Sequence, residues 1–284
     1  MHISLDSELG RPPRLIGQSV FQIAPNAAAA YSLRSLTGGD PKVVRVRRSS
    51  DNSEEDFNVS EVNSGALVDF VGSGNDGFVD TWYDQSGNNN HADDHAADRQ
   101  PKIVISGSLV KDANGHPEIN FDAGGGGGHQ YLEKTAYTQG DLAQANTIFS
   151  IAKLDTAQDA NRKLYDGTAS TKRNALFLHT TGDGQFVFFA DDIVATGVTA
   201  TNDKNLFSAV FNGASSKLFI NGTEAAAGDV GDYPMSGIII GKNNVNFQNF
   251  WIGQIQEIIV YNSDQSSNRS ALETNINDHY GIYS

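Results

Sequence analysis

Lys217-Leu218-Phe219-Ile220-Asn221-Gly222 is the stretch that decides the fold. A β-rich run stops on Asn-Gly, the pair favoured by a two-residue type I′ turn because both central residues need positive φ. A β-hairpin is predicted here. Outward from it the same pattern repeats, as short runs rich in β-branched and aromatic residues divided by turn residues. Such runs occupy residues 42–47, 78–83, 102–105, 118–121, 147–154, 175–179, 185–190, 206–211, 237–240 and 251–261. This spacing predicts an all-β fold, two antiparallel sheets packed as a sandwich.

Two segments read differently. Asn26-Ala27-Ala28-Ala29-Ala30-Tyr31-Ser32-Leu33-Arg34 favours helix by propensity, with Asn26 as N-cap and Gly38-Gly39 as a stop. A short helix is therefore predicted near 26–36. Leu272, Ile276 and Tyr280 share a helical stripe and Gly281 follows it, which predicts a second helix near 266–280. Residues 1–25 stand apart as an N-terminal arm before a sandwich domain over 26–284. Arg11-Pro12-Pro13-Arg14 breaks regular structure there, and Leu15, Ile16, Val20 and Phe21 are its apolar anchors. The arm is either a strand pinned on the main domain or a docking segment for a neighbouring subunit, and the anchors are the candidate docking residues.

Composition removes several function classes. Asp and Glu outnumber Lys and Arg by 34 to 20, a net charge of −14. Such a surface repels phosphate backbones and anionic membranes, so neither nucleic-acid binding nor membrane insertion is expected. No apolar run approaches the ~18 residues of a membrane span. Residues 1–10 do not read as a signal peptide. There is no cysteine, so disulfides and thiolate metal sites are out of reach.

Residues 147–283 carry Phe219-Ile220-Asn221-Gly222, Gly237-Ile238-Ile239-Ile240-Gly241, the strand from Trp251 to Asn262, and His279-Tyr280-Gly281-Ile282. This half resembles laminin-G-like, concanavalin A-like domains, which implies a jelly-roll sandwich. Ala30-Tyr31-Ser32-Leu33-Arg34, Val46-Arg47-Arg48-Ser49-Ser50-Asp51 and Trp82-Tyr83-Asp84-Gln85-Ser86-Gly87-Asn88-Asn89-Asn90-His91 lie further upstream. They resemble the start of the catalytic domain of family 54 α-L-arabinofuranosidases. The same opening is similar to bacteriophage structural proteins with concanavalin A-like domains.

The chemistry implied by the enzyme family needs two carboxyl groups about 5–5.5 Å apart. Its nucleophile is a Glu in an Asp-Leu-Glu-Asn motif, and that motif is missing. No Glu stands between Glu133 and Glu224, and the middle of the chain offers Asp166, Asp183, Asp191 and Asp192 instead. The family's disulfides are also impossible here. The resemblance therefore implies a shared scaffold without the catalysis. The expected function is a non-enzymatic virion protein of a bacteriophage (decoration, fibre or tail), made in the host cytoplasm. Its partners would be other virion subunits, in a homo-oligomer or larger assembly, with a host-surface glycan as ligand. The alternatives are an extracellular glycoside hydrolase acting on arabinofuranosyl side chains and a bacterial surface lectin.

Trp82, Tyr83, Asp84, Gln85, Asn88 and His91 form the densest polar and aromatic group, and they read either as a sugar site or as a tight turn over a core Trp82. His179 ends an apolar strand where it would line a groove. Asn249 and Trp251 open the last long strand, as an aromatic platform or as core. Asp93, Asp94 and Asp98 beside His91 and His95 lack an EF-hand register, so no metal is expected. The five glycines at 124–128 are not followed by a Lys-Ser/Thr helix start and make no phosphate loop. Neither Gly-x-Ser-x-Gly nor His-Glu-x-x-His occurs. No cofactor is expected.

Overall fold

In the computed structural model, residues 17–121, 129–155, 161–179, 184–244 and 248–284 are described. The Asn221-Gly222 hairpin is present, with φ of 52° and 78° and Ile220 facing Thr223. In chain order the elements begin with α1 (Val20–Ile23), β1 (Ala27–Ser32), β2 (Lys42–Arg48), β3 (Glu54–Asn58), α2 (Val59–Ser64) and α3 (Ala66–Val71). Next come β4 (Gly77–Trp82), β5 (Ala92–Asp93), β6 (Lys102–Ile105), β7 (Ser108–Leu109), β8 (Ile119–Phe121) and β9 (Leu132–Lys134). The middle holds β10 (Asn146–Leu154), β11 (Arg162–Asp166), β12 (Ala175–His179), β13 (Gln185–Phe189) and β14 (Ile193–Thr199). The chain closes with β15 (Asn205–Phe211), β16 (Ser216–Ile220), β17 (Thr223–Gly228), β18 (Ile238–Ile240), β19 (Gly253–Tyr261) and α4 (Arg269–Tyr280).

Pairing among these strands is antiparallel and draws two sheets. One runs β3-β2-β4-β5-β9-β18-β11-β12-β13-β14. In the other, β1 and β8 lie end to end along one side of β19, and β10-β15-β16-β17 continues from its other side. Strand β6 joins the two sheets by pairing with both β4 and β8. The main core lies between the sheets and contains Tyr31, Trp82, Phe121, Ile148, Phe188, Trp251 and Ile258. A second core covers the outer face of the β19-β10 sheet, where Phe149, Ile151, Ile259 and Tyr261 meet α1 and the Leu272, Ile276, Tyr280 stripe of α4.

Two expectations are corrected. The helix predicted near 26–36 is a strand, β1, buried along its whole length and paired with β19. Alanine's helix propensity is a weak prior that tertiary partners override. Here the small side chains let the backbone lie tightly between β19 and a neighbouring loop. Asn26 has φ of 66°, which is left-handed rather than the extended backbone of an N-cap. The docking role given to Val20 also fails. Val20 is fully buried in the second core of its own chain, and Phe21 packs against that cluster. The same segment is tied down by Asn275 Nδ2 donating to the Gln18 carbonyl (2.7 Å) and Tyr261 Oη donating to that of Ala24 (3.0 Å). Leu15 and Ile16 lie outside the described residues.

Candidate functional site

The polar loop after β4 is a clasp on β1. One edge of β1 is taken by β19, and side chains of the loop satisfy the other. Asp84 Oδ1 accepts from the backbone N–H groups of Ala30 and Ser86 (2.8 Å each), while Oδ2 accepts from Ser86 Oγ (2.7 Å) and Asn90 N–H (3.0 Å). Gln85 Nε2 donates to the carbonyls of Ser32 (3.0 Å) and Arg34 (2.9 Å), and its Oε1 accepts from Leu36 N–H (2.9 Å). Asn88 Nδ2 donates to the Ala27 carbonyl (2.9 Å), and Asn90 Nδ2 to that of Ala28 (2.7 Å). His91 Nδ1 accepts from Asp84 N–H (3.0 Å), and Tyr83 Oη donates to Asp56 (2.7 Å). Trp82 is fully buried, so it offers no face to a sugar. Of the candidate sugar-site residues, Asp84, Gln85 and Asn88 are engaged in holding β1, while Tyr83 and His91 stay half-buried beside them with ring centroids 4.9 Å apart. Trp251 is likewise core at 1 % exposure and is no platform.

A different group of side chains converges across β11, β12 and β13. Alternation places Leu164, Leu176, Leu178, Phe186 and Phe188 in the core between the sheets. Lys163, Ala175, Phe177, Val187 and Phe189 stand on the opposite face. There the Lys163 ammonium sits 2.8 Å from the Phe177 ring centroid, and the Arg173 guanidinium 4.9 Å from that of Phe189. Asp166, fully buried, accepts from Arg173 through both oxygens, at 2.9 Å from Nε and 2.5 Å from Nη2. Burial pushes the Lys163 amine down to about 7, with Asp166 opposing the shift and Arg173 adding to it. Burial pushes the Asp166 carboxyl up, against the pull of Arg173 and Lys163.

Strand register extends the group. Ile240, the last residue of β18, faces Leu132 of β9 and Tyr165 of β11. Tyr131, just before β9, therefore lies beside the turn that follows β18. Lys242 Nζ is 4.0 Å from the Tyr131 ring centroid and the Arg99 guanidinium carbon 5.3 Å from it. Arg99 donates to Tyr131 Oη (2.8 Å) and pairs with Asp94 (3.1 Å). Asn244 donates its backbone N–H to Asp166 (3.4 Å), yet both polar atoms of its side chain are buried without a hydrogen-bond partner. Burial lowers the Lys242 pKa, Glu133 opposes that, and Arg99 adds to it. Lys242 thus feels Glu133, Arg99, Asp94 and Asp166, and Asp166 in turn feels Arg173 and Lys163.

Two sequence-predicted residues lie at this group. His179 follows Phe177 on the same face, with ring centroids 5.9 Å apart, and Asn249 accepts at its carbonyl from Lys163 N–H (2.8 Å). Of the four middle-region aspartates, Asp166 belongs here, Asp191 and Asp192 are exposed, and Asp183 lies outside the described residues. Sequence reasoning passed over Arg99, Tyr131, Lys163, Arg173, Lys242 and Asn244. The available signal was a lysine opening the apolar alternation Lys163-Leu164-Tyr165 on a strand. In the acidic loop, Asp94 pairs with Arg99 and His95 with Asp80 (3.0 Å). The five glycines at 124–128 lie outside the described residues.

A separate cavity of about 270 Å³ lies at the C-terminal end of α4, lined by Arg34, His116, His279 and Tyr280 among others. Its cation is already engaged, since Arg34 donates to both oxygens of Glu257 (2.8 and 3.0 Å).

No family model matches the sequence, and no curated protein matches it. Solved structures do. A GH54 α-L-arabinofuranosidase soaked with a cyclic sulfate inhibitor superposes with a TM-score of 0.68 at 15% identity, covering 90% of this chain and 64% of the other. An arabinofuranosidase complexed with arabinofuranosyl-α-1,2-xylobiose gives 0.64 at 16% identity with the same coverage. The chain thus spans 64% of the length of these proteins, and the likeness is one of fold.

Proposed function

We propose that the protein is a non-hydrolytic, carbohydrate-binding jelly roll. Its binding surface is the accessible part of the β11–β13 face, at His179 and Phe189, together with the turn after β18. The observation that carries this reading is the state of Asp166. A retaining glycosidase needs a carboxylate free to attack and a second one to move a proton. Both oxygens of Asp166 are held by Arg173, and the other charged group acting on it is the Lys163 amine, a base rather than a carboxyl. The similarity of fold to an arabinofuranosidase complexed with arabinofuranosyl-α-1,2-xylobiose supports a saccharide as the ligand class. The sequence resemblance to bacteriophage structural proteins supports a virion as the setting, with other virion subunits as partners.

Two assays test the reading. Incubation with an aryl α-L-arabinofuranoside should release no more aglycone than buffer does, while affinity electrophoresis through a panel of plant and bacterial polysaccharides should retard the protein. Turnover that disappears in Asp166→Asn would make it an enzyme instead. Migration unchanged by every polysaccharide would remove the binding function. A virion setting further requires that the gene lie among capsid or tail genes, and a polysaccharide-degradation cluster there would overturn it.

A further inference from the structure

We infer that the cavity at the C-terminal end of α4 is a site for one neutral sugar residue, with the His116 and His279 imidazoles as its hydrogen-bonding groups. The inference rests on the carbohydrate-binding reading and adds a second site with a narrower ligand class. At about 270 Å³ the cavity falls just below the ~300–1,000 Å³ of pockets that enclose drug-sized ligands, so it suits a single ring rather than a chain. Three observations carry the ligand class. First, the wall is part apolar and part polar. Leu33, Val59 and Pro117 offer carbon surface to the C–H faces of a ring, and Arg34, His116 and His279 offer nitrogen to its hydroxyl rim. Second, the two imidazoles lie together with nitrogens to spare. Their ring centroids are 4.8 Å apart, and the His279 ring meets that of Tyr280 at 4.5 Å. His116 Nδ1 is 3.2 Å from Asp112 Oδ2, and a carboxylate only accepts. The proton of the neutral ring therefore sits on Nδ1, which leaves Nε2 as an acceptor. His279 makes no hydrogen bond through its ring to another described residue, so its neutral form has one donor and one acceptor to offer. Third, the charges here are answered before a ligand arrives. Arg34 donates to both oxygens of Glu257 (2.8 and 3.0 Å) and to Asn275 (3.0 Å). His279 stays accessible from solvent, yet desolvation of its ring lowers its pKa to about 4, with Arg34 adding to the shift and Glu257 opposing it. A charged ligand would shed hydration there and find its opposite charges already paired. A hydroxyl donates and accepts at once, so it matches what neutral imidazoles supply.

Histidine ring signals in two-dimensional NMR of the full chain, titrated with monosaccharides, test it. The chain has seven histidines, so each ring signal can be assigned from single substitutions. A panel of L-arabinose, D-galactose, D-glucose and D-mannose should contain a sugar that shifts the His116 and His279 signals, with a Kd on the order of 1 mM. Galacturonate, glucuronate, galactosamine and glucosamine should all bind at least about tenfold more weakly than the best of these. His116→Phe and His279→Phe keep a ring in place and remove its nitrogens. Each should weaken binding by about tenfold, whereas Lys217→Gln on β16 should not. Melting temperatures of the variants separate loss of binding from loss of fold. If no neutral sugar at about 50 mM shifts either ring, the site is overturned, and retardation by the polysaccharide panel would still leave the carbohydrate-binding function standing. Charged sugars that bind as tightly as neutral ones would overturn the ligand class. Unchanged affinity in both Phe variants would overturn the role of the imidazoles. Absence of ring shifts together with unretarded migration would end both proposals.

Discussion

Asp84 accepts four hydrogen bonds, two of them from backbone N–H groups of Ala30 and Asn90 that are buried with it. A buried donor deprived of its acceptor keeps the full cost of desolvation. Asp84→Ala strips acceptors from both at once and should lower stability by about 3 kcal/mol, read as a drop in the urea midpoint. A midpoint within error of the parent would mean that the loop does not hold β1. Glu118 makes the complementary case. Burial pushes its carboxyl up to about 7, with Lys204 opposing and Asp112 adding, and its Oε2 has no hydrogen-bond partner. The folded chain therefore favours the protonated form. Its stabilisation is complete below the ordinary carboxylate range and is lost as pH rises through about 7. Glu118→Gln should raise the melting temperature at about pH 8 and leave it nearly unchanged at about pH 4. Equal shifts at the two pH values would refute the assignment.

Elements differ in how far their own sequence determines them. The α4 stripe of Leu272, Ile276 and Tyr280 was legible because helical periodicity is local, and all three side chains are buried as the spacing predicts. The β16–β17 hairpin was legible for the same reason, its turn residues being adjacent. Strand β1 was not. Its run of alanines carries no alternation, and its partners are Asp84, 54 residues away, and β19 near the other end of the chain. Helices α2 and α3 went unseen because six residues each are too few to show a helical stripe. The candidate site was the least legible, because its residues come from six separate segments and meet through the register of β9, β18 and β11. Helix α1 gives this scale its prediction. Val20 has no exposure and shares a cluster with Phe149, Tyr261 and Leu272. Deleting residues up to Ala24 uncovers those side chains and should lower the melting temperature and increase binding of a hydrophobic dye. An unchanged melt would show that α1 is dispensable to the fold.

At the scale of the whole molecule, the second sheet is organised around β19. That strand pairs with β10 along one side and with β1 and β8 along the other. Gly253 opens it with φ of 146°, and a Cβ there would collide with the Lys153 carbonyl oxygen. A chain ending before Gly253 should lack cooperative unfolding and be cut by protease throughout its length; a compact, resistant fragment would contradict the role given to β19. The pairing of β1 with β19 also fixes an order of events during synthesis. Ser32 faces Glu257, 225 residues later in the chain. At a ribosomal rate of roughly 5–20 residues per second, β1 waits on the order of ten to fifty seconds for its partner to emerge. Throughout that interval the clasp can engage one edge of β1 while the other stays open. The nascent protein thus leaves the ribosome with its first strand half-finished, and chaperone occupancy should be greatest there until the last strand arrives.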